Sequence, residues 1–84
     1  MTKRLLKFEN VGCGYCTMAQ NHLDSTGVKV ENINVFNNPE LSSLHDIGSI
    51  PTFILLDEND HEISRMVGFH PSRTKELDEI TAQL

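Results

Sequence analysis

Cys13 and Cys16 are the only cysteines in the chain, and Gly14 and Tyr15 separate them. Two thiols at that spacing can close a disulfide or, as thiolates, share a metal ion. A bridge between them would enclose a very small loop, so it would restrict the unfolded chain little and would make a poor staple. The pair therefore reads as chemical. A largely apolar run, Leu5-Leu6-Lys7-Phe8, precedes it, and Thr17 to Thr26 follows with helix-like spacing. A Cys-x-x-Cys at a strand-to-helix junction is the arrangement expected of thiol-disulfide exchange. There the first sulfur lies near unpaired backbone amides and the positive end of the helix dipole, which favour the nucleophilic thiolate. The second sulfur lies one turn further in, on the same side and more buried. The expected division of labour follows: Cys13 attacks a substrate disulfide, and Cys16 then attacks Cys13 and releases the reduced product.

Other chemistry finds less support. Zinc takes four ligands, and the four histidines, His22, His45, His61 and His70, form no His-x₃₋₅-His pair. A non-catalytic module holding metal or a partner through the cysteines stays open as an alternative, but no metal site is expected. The acidic group Asp57, Glu58, Asp60 and Glu62 lacks the spacing and glycine of a calcium loop and reads as a solvated turn.

The elements that must position the cysteines follow from periodicity. Lys3 to Glu9 predicts a strand covered on both faces. Gly14 to Thr26 predicts a helix with Cys16, Ala19 and Leu23 inward and Thr17, Gln20, Asn21 and Asp24 toward water. Gly27 is placed to end it in a left-handed conformation. Residues 28–35 predict a second strand. Its alternation, Val28, Val30, Ile33 and Val35, slips one step and suggests a bulge or register shift. Asn38-Pro39 predicts a helix start, with Asn38 as cap, and Leu41, Leu44 and Ile47 inward before Gly48 ends it. Pro51 should be the first residue of a central strand reaching Asp57. His61 to Gly68 should return antiparallel, with Ile63 and Val67 inward. His70 reads as a solvated connector residue. Ser72 to Gln83 predicts a last helix burying Leu77, Ile80 and Leu84. The order βαβαββα, with a right-handed parallel first unit, predicts an α/β fold: a four-stranded mixed sheet with helices on both faces.

The chain has 84 residues, room for one domain spanning 1–84. A net charge of −5 and the absence of a basic stripe among Lys3, Arg4, Lys7, Arg65, Arg73 and Lys75 exclude nucleic acid as an expected partner. The apolar part of the N-terminus is too short for a signal peptide, and no run approaches a membrane span. These features lead us to expect a cytosolic monomer, in a compartment where thiols are kept reduced.

From Leu5 to Leu84 the chain resembles the small members of the thioredoxin/glutaredoxin superfamily. The resemblance is carried by Cys13-Gly14-Tyr15-Cys16, Asn38-Pro39, Gly48-Ser49-Ile50-Pro51-Thr52 and Val67-Gly68. It implies the thioredoxin fold and a thiol-disulfide oxidoreductase that reduces protein disulfides through Cys13 and Cys16. It implies no bound cofactor, because the redox group is the Cys13–Cys16 disulfide itself. It also implies a cis Ile50–Pro51 peptide and pairing of the Ile50 backbone with an extended substrate segment. Gly12, Gly14, Tyr15, Ile50, Pro51 and Gly68 would form the substrate-binding surface. Thioredoxin reductase is the implied electron donor and ribonucleotide reductase one implied client. Glutathione is the alternative donor: Gly14 matches the thioredoxin motif and Tyr15 the glutaredoxin one. Phe69-His70-Pro71, however, replaces the Gly-Gly and Asp with which glutaredoxins hold glutathione. Two thioredoxin features are replaced as well. Gly12 stands where a tryptophan precedes the first cysteine, and Lys7 stands at the buried acid of the first strand. If Lys7 points inward, water or Glu9 must take the proton of Cys16.

Overall fold

The computed structural model describes residues 2–84. It runs β1 (Arg4–Glu9), α1 (Gly14–Thr26), β2 (Glu31–Asn34), α2 (Pro39–Leu44), β3 (Thr52–Leu56), β4 (Glu62–Val67), a 3₁₀ turn (Pro71–Arg73) and α3 (Thr74–Thr81). The sheet order is β2-β1-β3-β4. β1 pairs parallel with β2 and antiparallel with β3, and β4 returns antiparallel to β3. This is the four-stranded mixed sheet of the thioredoxin fold.

Side chains alternate across a strand, so the consecutive buried residues of β1 serve two cores. Leu5 joins Phe53, Leu55 and Met66 beneath Ala19 and Leu23 of α1 and Leu77 and Ile80 of α3. Leu6 and Phe8 join Ile54 and Leu56 on the opposite face, under Leu41 and Ile47. α1 spans the residues predicted for it, with Cys16, Ala19 and Leu23 buried and Gly27 at φ 75° as its left-handed cap. A hydrogen bond of 2.7 Å from His22 Nε2 to Asp78 Oδ1 ties α1 to α3.

The slip in the alternation of residues 28–35 is not a bulge. Val28 and Val30 pack against the first core, and Ile33 and Val35 against the second. The β1–β2 register runs unbroken from Leu6↔Glu31 to Glu9↔Asn34. An even-to-odd change simply hands this segment from one face to the other, and only Glu31–Asn34 forms the strand.

Other expectations are corrected at the edges. α2 ends at Leu44, with His45 as its cap, well before Gly48. Asn38 makes no side-chain cap; its Nδ2 donates to the Asn34 carbonyl instead. Leu44 is 75% exposed, because so short a helix covers little of the sheet. Ile63 and Val67 are exposed on edge strand β4, where Met66 is the inward residue. α3 starts after the 3₁₀ turn, at Thr74, and leaves Leu84 exposed. β3 begins at Thr52 rather than Pro51.

Candidate active site

The register gathers one end of the sheet. Glu9 pairs with Asn34, Phe8 with Thr52, and Thr52 with Val67. The C-terminal ends of β1, β2 and β4 therefore meet the start of β3. The loop leaving β1, the Ile50–Pro51 turn and Gly68 all lie at this end.

Asn10 opens the loop: its Oδ1 accepts the Val11 N–H at 2.8 Å. Gly12 follows at φ 77°, a left-handed conformation in which a side chain would be strained. The chain then enters Cys13, extended at φ −90° and ψ 103°, which is the N-cap of α1. Its Sγ accepts the Cys16 N–H at 3.1 Å, so one of the free amides of the helix points at the sulfur. Cys13 and Cys16 are joined as a disulfide, their Cα atoms 5.2 Å apart. Cys13 is half-buried, whereas Cys16 is 3% exposed. Gly14, the first residue of α1, is exposed with no atom within 4 Å of where a Cβ would sit.

Tyr15 projects outward, 49% exposed. Its ring lies 5.7 Å from that of His70, tilted by 47°. Nδ1 of His70 accepts the Ser72 N–H at 3.1 Å and caps the 3₁₀ turn. His70 is thus held against the site rather than being only a solvated connector. The signal was a capping residue directly before Pro71.

The Ile50–Pro51 peptide is cis. Pro51 is buried and Ile50 half-buried. Thr52 Oγ1 donates to the Ser49 carbonyl at 2.7 Å and closes the turn. The Pro51 carbonyl accepts the Gly68 N–H at 2.7 Å. Gly68 sits at φ 80°, and Arg73 Nη1 donates to the Val67 carbonyl beside it at 2.8 Å. Two hydrogen bonds from Arg73 to Glu76, at 3.0 and 2.8 Å, hold that guanidinium and raise its pKa while lowering that of Glu76. The substrate-surface residues expected from the sequence thus share one end of the sheet. Cys13, Tyr15 and His70 form one side of it, and Ile50, Pro51 and Gly68 another.

Behind Cys16 lies a group that periodicity alone did not reveal. Lys7 points inward on the face under α1 and is 1% exposed. Its Nζ donates to Glu9 Oε1 at 2.7 Å and to Gln20 Oε1 at 3.0 Å. Gln20, expected to face water, is half-buried, and its amide also donates to Asp24 Oδ1 at 2.8 Å. Lys7, Glu9, Gln20 and Cys16 border one cavity of about 370 Å³. The available signal was Gln20 at i+4 from Cys16, on the same helix stripe.

A larger cavity, about 1010 Å³, lies at the other end of the sheet, bordered by Arg4, Val28, Lys29, Glu58 and Leu84. It contains no thiol. Among the described residues no three His, Cys, Asp or Glu side chains are grouped to hold a metal. No helix among them is long and apolar enough to cross a membrane.

Comparison with known proteins adds relatives. The model of the family described as Glutaredoxin matches residues 1–53. The SPbeta prophage-derived thioredoxin-like protein YosR of Bacillus subtilis (strain 168) is 35% identical over 81 residues, 96% of this chain and 98% of that protein. Among solved structures, the germline-specific thioredoxin Deadhead of Drosophila melanogaster matches with a TM-score of 0.84 at 24% identity, over 99% of this chain and 81% of that one. Mitochondrial thioredoxin 3 of Saccharomyces cerevisiae, in its oxidised form, matches with a TM-score of 0.77 at 23% identity, over 98% of this chain and 78% of that one. At such identities the two structures speak for the fold alone.

Proposed function

The chain belongs to the thioredoxin/glutaredoxin superfamily, and from that premise we propose that it is a thiol-disulfide oxidoreductase that reduces disulfides of protein substrates. The observation that carries this reading is the asymmetry of the pair: Cys13 is only half-buried at the helix N-cap and Cys16 is buried behind it. The Cys13 thiolate, favoured by the helix amides, attacks one sulfur of a substrate disulfide. The substrate S–S bond breaks, one substrate sulfur leaves as a thiolate, and a mixed disulfide forms on Cys13. The Cys16 thiolate then attacks Cys13 Sγ and expels the second substrate sulfur. The substrate has gained two electrons and the protein holds the Cys13–Cys16 disulfide. A donor dithiol reverses the sequence on the protein.

The edge at Ile50 suits an extended segment of substrate, which can add its backbone hydrogen bonds there. Gly12, Gly14, Tyr15, Pro51 and Gly68 surround that approach with small or apolar groups. We assign electron supply to an NADPH-dependent thioredoxin reductase, the compartment to the reducing cytosol, and ribonucleotide reductase to the client class. After Gly68 the chain offers a buried Phe69, a His70 whose Nδ1 is engaged in a cap, and Pro71. That segment supplies no acidic residue for the amine of glutathione. The Glutaredoxin family match and Tyr15 favour a second reading, in which glutathione is the donor.

A coupled assay separates the two. Insulin disulfides are offered with NADPH and thioredoxin reductase, or with glutathione, NADPH and glutathione reductase. NADPH consumption in the first arm is the expected result. Turnover with glutathione alone would replace the donor assignment, and no turnover in either arm would overturn the reading.

A further inference from the structure

Lysine is almost never fully buried unless it is paired, and the chain places one directly beneath its redox helix. Lys7 follows Leu5 on the face of β1 that α1 covers. Leu5 lies under Ala19 and Leu23, so Lys7, two residues nearer the cysteines, lies under the first turns of α1. Its ammonium is fixed by Gln20, one turn beyond Cys16 on the same stripe, and by Glu9. Cys16 and Lys7 border the same cavity. Packing does not call for a cation there: a leucine or methionine would fill the space without desolvating a charge.

We propose that Lys7 is the positioning residue of the resolving thiol, its ammonium clamped by Glu9 and Gln20 so as to stabilise the thiolate of Cys16. This inference rests on the dithiol reading of Cys13 and Cys16. In the resolving step Cys16 gives its proton to solvent through the cavity and attacks Cys13 Sγ. The Cys13–Cys16 bond forms, the Cys13–substrate bond breaks, and the substrate sulfur leaves as a thiolate that takes a proton from solvent. When a donor thiolate attacks Cys13 in the oxidised protein, Cys16 is the leaving group, and the same ammonium stabilises it. The charged groups around Cys16 are Lys7 and Glu9 from β1 and, through Gln20, Asp24 from α1. Cys13 lies in front of it, and Tyr15 and His70 stand on the outer rim. β2 contributes only the neutral Asn32 and Asn34 to this cavity.

The test titrates Cys16 by thiolate absorbance in a Cys13→Ser background, where it is the only thiol. An opposite charge within a few ångströms moves such a titration by about one unit or more. Adding Lys7→Met should therefore raise the midpoint by about one pH unit or more, and Lys7→Arg should restore most of it. Glu9→Gln should move it the other way, because the ammonium loses its counter-charge. A merely structural role would not give opposite signs. Equal midpoints with and without Lys7→Met would overturn the proposal. Should Lys7→Met fail to fold by circular dichroism, Glu9→Gln decides: an unmoved or raised midpoint overturns it. The titration needs no turnover, so a shifted midpoint beside an inactive wild type in the insulin assay would reject the functional reading and keep the role of Lys7.

Discussion

The two ends of the sheet both hold basic residues of β1, but they use them differently. At the start of β1, Arg4 lies in the open. It donates to Glu31 at 2.7 and 2.9 Å and to Asp60 at 2.8 Å, pinning the β1–β2 edge to the β3–β4 turn. Hydrogen bonding and charge from Glu31 raise the pKa of Arg4, and the Arg4 hydrogen bond lowers that of Glu31. Both side chains are more than two-fifths exposed, at 43% and 48%, so water screens the pair. Three residues further, Lys7 carries the same formal charge on a side chain that is 1% exposed. The first arrangement is what surface geometry produces at little cost. The second requires desolvation and has to be offset by placed partners. Cavity size points the wrong way: the larger void is at the Arg4 end, whereas Cys16 borders the smaller one. Chemistry locates the site, and volume does not.

The sharpest break of this contrast is at the cysteine end. Cys13→Ser should reduce insulin turnover to the uncatalysed rate while α1 stays folded, because serine is itself a good N-cap. Retained turnover would remove Cys13 as the nucleophile. Next in size is the comparison of two cations on one strand. Lys7→Met should slow resolution of the mixed disulfide at neutral pH by roughly threefold, because a one-unit rise in the Cys16 titration lowers its thiolate fraction about tenfold while the more basic thiolate attacks about threefold faster. Arg4→Met should leave that rate unchanged, and equal effects in stopped-flow would erase the distinction between the two ends. Gly68→Ala comes third. The nearest atom to its new Cβ, Arg73 Nη1, would be 3.5 Å away, an ordinary contact, so the cost is the left-handed backbone alone. Denaturant melting should show about 1–2 kcal/mol lost.

The smallest effect belongs to the exposed pair. The folded-state pKa of Glu31 lies below its ordinary value of 4.5, so its contribution is complete above 4.5 and fades as pH falls through the folded value. Glu31→Gln should therefore melt slightly below wild type at neutral pH, by less than about 1 kcal/mol, and converge with it in acid. A persistent gap in acid would assign Glu31 another role.

The parts of this comparison that sequence made legible are those set by local rules. Gly27 ends α1 because a residue without Cβ takes φ 75° freely, and Cys16, Ala19 and Leu23 follow helical spacing into the core. Cys13 at the cap follows from the same junction. What escaped depends on neighbours distant in the chain. Leu44, Ile63 and Val67 have inward periodicity, but α2 is short and β4 is an edge, so nothing covers them. Asn38 reads as a cap, yet the Asn34 carbonyl takes its side chain. The resemblance places Lys7 at the buried acid of the first strand, but periodicity does not show what pairs with its charge. The Gln20 clamp appears only once a helix thirteen residues away is brought over it.

The central claim is that Cys13 meets the substrate and Cys16 does not until resolution. Trapping tests it most directly. Reduced Cys16→Ser and Cys13→Ser proteins are each incubated with insulin and measured by intact mass. The account predicts a one-to-one adduct on Cys13 in the first protein, released by dithiothreitol, and none in the second. Equal adducts in both, or an adduct only through Cys16, would contradict it.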